Sequence, residues 1–298
     1  MLMIEIIAER EYERLDVFLA EQLEITRSKA QGYIKEGFIT GDKKLKPSMK
    51  VSEGQKFFAS LPESPNISEL KAEPVDFEVV YEDEYLLVIN KPSGLVVHPA
   101  PGNWNGTLAN GLVYRYPEFR LMINRLRPGI VHRLDAGTSG LMIAARKQNI
   151  CDALQKKFAA REVHKTYLAL VHNCPKKHEG ILSGPIDRDP DNFLRMAIVE
   201  NGKPSLTGYK VLWNMNKFSL IECRLFTGRM HQIRVHMSAL GCPLSGDILY
   251  GADDDFNGRI FLHSWKLSFE HPVTHENLSF RQNLPDDFIT RIHDIISR

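Results

Sequence analysis

Asp135 stands in the stretch VHRLDAGTSG, two residues after Arg133 and three after His132, between the apolar runs GIV and LMIAA. A carboxylate or a guanidinium set among Ile, Val and Leu is costly to bury unless it is paired and hydrogen-bonded. The stretch is therefore either a structural ion pair or an active site. An Asp where a strand pattern meets a Gly-containing turn can serve as nucleophile or base once a cation keeps it ionised and aligned. The same residue can equally cap its own turn through an Asx hydrogen bond. Residue types alone leave both readings open.

The elements that must position this stretch follow from periodicity. Residues 75–298 read as one α+β domain. FEVVYEDEYLLVINKPSGLVVH predicts strand, turn, strand, with Pro92-Ser93-Gly94 as punctuation. CDALQKKFAAREV carries Leu154, Phe158 and Ala159 as a helical stripe, ahead of the β-rich HKTYLALVH. YKVLWNMNKFSLIECRLF reads as a hairpin about Asn214–Lys217. In GRMHQIRVHMSALGCP, Ile233, Met237 and Leu240 share a helical face that Gly241 and Pro243 close. Residues 62–74, PESPNISELKAEP, hold three prolines and predict an extended linker. Ahead of it, residues 1–61 predict two helices, RLDVFLAEQL and TRSKAQGYIKEG, the second capped by Thr26 and stopped by Gly37, then short strands.

Composition narrows the function classes. Hydrophobic residues make up 43% and charged residues 25% of 298, as in ordinary globular proteins. No run of about 18 apolar residues predicts a membrane span. The acid-bearing opening MLMIEIIAEREYERLD does not read as a secretory signal. Four cysteines without a CxxC pair argue against a disulfide framework or a zinc site and predict a reducing cytoplasm. Net charge is +1, yet it divides unevenly. Residues 1–24 hold seven acids and two bases, whereas residues 25–60 hold eight bases and three acids. A basic patch on a near-neutral chain fits an anionic partner, nucleic acid first, though a solvated helix face gives the same charge run.

Two resemblances sharpen this. RLDVFLAE, TRSKAQGYIKEGFI and KLKPSMKVSEGQKF, within residues 14–58, resemble the S4 RNA-binding domain, with Gly41-Asp42 where that family usually has an Asn-Gly turn. RPGIVHRLDAGTSGLMIAARK resembles the HRLD motif of RluA/RluD-type pseudouridine synthases. VINKPSGLVVHPAPGNWNGTLANGL, REVHKTYLALV, TGRMHQIRVHMSALGCPLSGDILYG and RIFLHSWKLSFEHP follow in that family's order, across roughly residues 80–285. The resemblance implies an S4-like αα/β domain followed by a synthase domain on a bent, largely antiparallel sheet. It implies an isomerase that breaks the C1′–N1 bond of uridine in RNA, turns the base and rejoins it through C5, with no metal and no organic cofactor.

By the same resemblance Asp135 is the required carboxylate, acting either covalently or by taking a ribose proton, and Arg229 is the cation that pairs with it. Tyr167 stacks on the flipped base, Leu262 lines its pocket, Arg133 contacts RNA and takes the space of the extruded nucleotide, and His132 lies on the substrate side or serves as a structural histidine. Ala136 stands where relatives often carry Lys, and Met230 where they usually carry a small hydroxyl residue. The S4-like unit is expected to meet phosphates through Arg27, Lys29, Lys35, Lys43 and Lys44. The domain order resembles enzymes of large-subunit ribosomal RNA, with tRNA as the alternative, and a monomer is the default. A glycosidase would also cleave a glycosidic bond with Asp but needs a second carboxylate. A pure RNA-binding protein would leave the HRLD, KTY and GRMHQIR blocks without a role.

Overall fold

The computed structural model describes residues 3–23, 27–41, 43–60, 70–100, 103–192, 195–254 and 256–297, apart from the side chains of Met3, Ile4, Ser28 and Lys29. Thr26, Asp42 and residues 62–69 of the expected linker lie outside the described residues, as does the side chain of Lys29. The chain divides into two compact units, Met1–Ile67 and Ser68–Arg298.

The first unit is a three-stranded sheet with two helices. β1 (Met3–Ile7) pairs antiparallel with β3 (Lys56–Ser60), which pairs with β2 (Ile39–Thr40); α1 (Leu15–Gln22) and α2 (Arg27–Lys35) lie between β1 and β2 in sequence. Leu15, Phe18, Leu19, Ala30, Ile34 and Phe57 form its core. The buried Asp16 accepts from Arg14, Arg27 and Gln31, a knot that joins the start of α1 to α2. Helix spacing predicts α1 and α2, whereas β1 (MIEII) precedes both helices and pairs with the distant β3, Glu5 opposite Phe58, a contact that no local pattern announces.

The second unit is built on a ten-stranded sheet. Its strands are β4 (Glu78–Glu82), β5 (Leu86–Lys91), β6 (Ser139–Ala145), β7 (His164–His172), β8 (Glu179–Arg188), β9 (Met196–Ile198), β10 (Lys203–Met215), β11 (Phe218–Leu225), β12 (Leu262–Glu270) and β13 (Asn277–Arg281). They run in the order β4-β5-β6-β12-β7-β11-β10-β8-β9, with β13 also on β12. Every pairing is antiparallel except β6 with β12. The helices are α3 (Leu108–Arg115), α4 (Gln148–Ala159), α5 (Gln232–Ala239) and α6 (Asp286–Ile296). β6 is buried along its whole length, which is why its sequence is a continuous apolar run rather than an alternating one. α3 begins with a reciprocal capping box between Thr107 and Asn110.

Three expectations change. Residues 70–74 are not free linker: Leu70 and Ala72 pack on the large core, and the Asn110 side chain donates to the Lys71 carbonyl. Proline content marked an extended path, and extended chain can lie on a surface as readily as cross a gap. Residues 131–135 are irregular and the strand starts only at Ser139, so Asp135 precedes a strand instead of standing at the end of one. The helix of residues 228–243 begins at Gln232, which leaves Arg229 in the preceding loop.

Candidate active site

Asp135 is held by its backbone before its side chain is considered. Upstream, Ile130 bridges to Ala144 and His132 Nε2 accepts the Ile143 amide at 2.9 Å, laying the segment along β6. Downstream the chain turns, with the Thr138 amide donating to the Asp135 carbonyl. The buried Lys91 at the end of β5 donates to the carbonyls of Pro92 (2.7 Å), Leu95 (2.8 Å) and Ala136 (3.1 Å). Three acceptors match the three hydrogens of an ammonium. Burial pulls the Lys91 pKa down to about 7, against the attraction of Asp135. Arg259 donates to the Gly137 carbonyl from the other side at 3.0 Å. The catalytic-looking turn is thus clamped between the Lys-Pro-Ser-Gly segment and the loop before β12.

The Asp135 side chain faces a cleft of about 660 Å³. Its Oδ2 accepts from Arg234 Nη1 at 3.2 Å. Arg234 lies in the first turn of α5 and is itself fixed by Asp247, Nε to Oδ2 at 2.7 Å and Nη2 to Oδ1 at 2.9 Å. Burial works against the guanidinium charge, but the two carboxylates outweigh it and hold its pKa above the ordinary value. His231 Nε2 stands 3.8 Å from the same Oδ2.

All six residues expected at the site, Asp135, Arg229, Tyr167, Arg133, Leu262 and His132, line this one cleft. The pairing expected of Arg229 is corrected: its Nε donates to the Pro204 carbonyl at 3.1 Å, and Arg234 makes the ion pair with Asp135. The reason is local. Arg229 sits in a loop whose backbone amide is tied to the Gln232 side chain, whereas α5 carries Arg234 towards Asp135. Tyr167 rises from β7 and is buried opposite Ser264. Burial pushes its hydroxyl well above the phenol range, with Asp135 adding to the effect, so it stays protonated. Leu262, the first residue of β12, is buried. Arg133 is exposed at the cleft, while His132 packs on Phe158 and is held neutral, with burial bringing its pKa down to about 3. His132 therefore orients the loop through its bond to Ile143.

Arg234, His231, Asp247, Tyr250 and Lys91 were not singled out from sequence. The signal available was a cation one residue from the buried face of a predicted helix, and an Asp and a Tyr in GDILYG, inside a block already marked. Only their convergence gives them meaning. Among the described residues, His172, Asp253 and Asp254 could gather a metal ion, yet Asp254 is already bonded by Ser245, the Gly246 amide and Arg291. None of the three lines the cleft.

Six cationic side chains, from Arg133, Arg161, Lys165, Arg224, Arg229 and Arg234, line the cleft beside a single carboxylate, Asp135. A wall so charged is suited to a polyanion, and a lone cation-held Asp within it to chemistry on that polyanion. Fold and cleft together suit a class of protein that acts on nucleic acid. Residues 85–239 match the RNA pseudouridylate synthase family. An uncharacterized RNA pseudouridine synthase of Bacillus subtilis (strain 168), YlyB, is 38% identical over 96% of this chain and 95% of its own. Ribosomal large subunit pseudouridine synthase D of Neisseria meningitidis (serogroup A) is 42% identical over 92% of this chain and 76% of its own. Among solved structures, human RNA pseudouridylate synthase domain containing 1 superposes with a TM-score of 0.56 at 30% identity, over 72% of this chain and 85% of the human one. The chain belongs to the RNA pseudouridylate synthase family, and its activity is the isomerisation of uridine to pseudouridine in RNA.

Proposed function

We infer that the substrate is large-subunit ribosomal RNA and that Asp135 is the carboxylate that acts at the ribose of the target uridine. The ribosomal target rests on the names of relatives such as the Neisseria enzyme. The residue assignment rests on one observation above the others: Asp135 faces the cleft with Oδ2 bound to Arg234 at 3.2 Å, beside Tyr167 and Leu262. In the reaction the C1′–N1 bond breaks, C5 bonds to C1′, the C5 proton leaves and N1 gains a proton. Asp135 either attacks C1′ or removes a ribose proton, and both routes need it ionised. Tyr167 stacks on the flipped uracil, Leu262 lines the pocket, and Arg133 and Arg229 meet the RNA strand. A glycosidase reading lacks its second carboxylate among the described residues, because Asp247 is buried and taken up by Arg234.

The first unit supports a second RNA contact of the S4 type. Lys35, Lys43 and Lys44 are exposed, whereas Arg27 is partly engaged by Asp16. The four cysteines are free thiols, which fits a reducing cytoplasm. No helix is long and apolar enough to cross a membrane, among the described residues. We take the enzyme to work as a monomer.

Total RNA carrying tritium at uridine C5, taken from cells lacking the protein, tests the chemistry. The wild type should release tritium without freeing uracil, and Asp135→Asn should fall to background. Release by Asp135→Asn at the wild-type rate would remove Asp135 from the reaction. Mapping pseudouridines with and without the protein tests the target, and loss confined to tRNA would replace ribosomal RNA in this reading.

A further inference from the structure

His231 occupies the left-handed region, φ 56° and ψ 19°, immediately before α5. Such a backbone is uncommon outside Gly, Asn and Asp, so a histidine there calls for a reason in its side chain. The ring is half-buried, edge-on to Tyr250 with centroids 5.7 Å apart. Its Nδ1 lies 2.9 Å from the Tyr250 hydroxyl, and that hydroxyl accepts the Met196 amide at 2.7 Å. The buried Tyr250 hydroxyl has one hydrogen to donate, and His231 Nδ1 is the acceptor within reach among the described residues. Nδ1 is therefore the acceptor of this pair, and the ring proton sits on Nε2. Burial keeps the ring neutral, which agrees with a single ring proton. That Nε2–H faces Asp135 Oδ2 at 3.8 Å, the oxygen that also receives Arg234 Nη1.

Both supports come from one short 3-10 turn. Asp247 precedes it and fixes Arg234; Tyr250 ends it and fixes His231. The turn therefore sets the orientation of two N–H groups that face a single carboxylate oxygen, Arg234 within hydrogen-bond reach at 3.2 Å and His231 just beyond it at 3.8 Å. Oδ1 accepts no hydrogen bond among the described residues.

We propose that His231 is a positioning residue for the isomerisation: its Nε2–H, fixed by Tyr250 and 3.8 Å from Asp135 Oδ2 in the free enzyme, closes to a hydrogen bond on that oxygen when RNA is bound and, with Arg234, leaves Oδ1 as the oxygen presented to the ribose. The inference rests on Asp135 being the acting carboxylate. A neutral donor adds direction without a second formal charge. It leaves the carboxylate reactive while preventing it from rotating towards α5.

The test uses the full-length enzyme in excess over total RNA labelled with tritium at uridine C5, so that one turnover is read at saturation. His231→Asn keeps a residue that tolerates the left-handed backbone and can still meet Tyr250, but its amide is too short to reach Asp135. His231→Gln places an amide nitrogen where Nε2 stood. His231→Asn should slow release about tenfold to a hundredfold, the effect of one lost hydrogen bond to a charged group, with half-saturation by RNA and thermal midpoint close to wild type. His231→Gln should restore most of the rate. Tyr250→Phe should slow the wild type and add nothing in the His231→Asn background, since both changes remove the same constraint. A wild-type rate for His231→Asn, or a His231→Gln as slow as His231→Asn, would overturn the proposal. Asp135→Asn in the same assay separates the two readings. If it is inactive while His231→Asn is unimpaired, only the role of His231 fails; if it is active, the carboxylate assignment fails and this inference with it.

Discussion

Arg234 donates through Nη1 to Asp135 and through Nε and Nη2 to Asp247, so one guanidinium serves two carboxylates. Removing it leaves Asp247 buried without a partner and Asp135 without its closest donor. Losing one member of a buried ion pair costs about 3–5 kcal/mol, and losing one preorganised donor costs about a hundredfold in rate or more. Arg234→Gln should therefore lower both thermal stability and single-turnover tritium release. Arg229→Ala should behave differently, because the Arg229 side chain donates to the Pro204 carbonyl and not to Asp135. Its release rate at saturation should match wild type, while half-saturation by RNA rises about threefold, the size of a single phosphate contact. If Arg229→Ala slowed the bound reaction and Arg234→Gln did not, the ion pair would be incidental to catalysis. The residue types at this site were legible in HRLD and GRMHQIR, but which arginine meets the Asp was not. Two cations five residues apart in one block differ only in which of them the helix carries to the carboxylate.

β6 delivers the turn that holds Asp135, and its place depends on a close approach to β12. Gly140 sits at φ +108° opposite Ser264, where an added Cβ would lie 2.3 Å from the Ser264 carbonyl oxygen. No side chain fits there without parting the parallel pair, and Ser264 also stands opposite Tyr167 across β12 and β7. Gly140→Ala should destabilise the second unit by about 3 kcal/mol and disturb Tyr167, read as a lower thermal midpoint and slower release together. An unchanged midpoint would mean that β12 gives way freely. At this scale the helices α1, α2, α4 and α5 could be read from apolar spacing, within a few residues, as could the β10–β11 hairpin. The parallel β6–β12 contact could not, because it joins strands separated by more than 110 residues and leaves no local pattern.

The two units have separate cores, one around Phe18 and Phe57, the other around β5, β6 and their neighbours. Removal of residues 1–65 should leave the second unit folded, with near-normal tritium release from bound RNA. Affinity should fall, and so should the steepness of its salt dependence, since exposed lysines such as Lys43 and Lys44 leave with the segment. Equal affinity at all salt concentrations would remove the first unit from RNA binding. The first unit also carries its own acid sensitivity. Burial raises the Asp16 carboxyl, but hydrogen bonds from Arg14, Gln31 and Arg27 outweigh it and hold the group below the ordinary Asp range. A folded value below the unfolded one means that this stabilisation is fully present above about pH 4 and is lost as pH falls towards the folded value. Acid should therefore weaken the first unit below about pH 4. Asp16→Asn should lower its stability at neutral pH by about 2 kcal/mol and flatten the acid dependence, as followed by denaturant unfolding at several pH values.

Taken alone, the sequence determined the chemistry on offer: a carboxylate in HRLD, an aromatic in KTY, cations in GRMHQIR, and a basic segment ahead of a Pro-rich stretch. Those features are local, and side-chain type together with short-range periodicity is enough to find them. Tertiary structure decided the pairings. It set Arg234 and not Arg229 against Asp135, brought Lys91 beneath the Asp135 turn from 45 residues away from its Ala136 acceptor, and drew Asp247 and Tyr250 behind the two donors. Such contacts join distant segments, and their geometry depends on strand register and helix start, which spacing along a single chain does not encode.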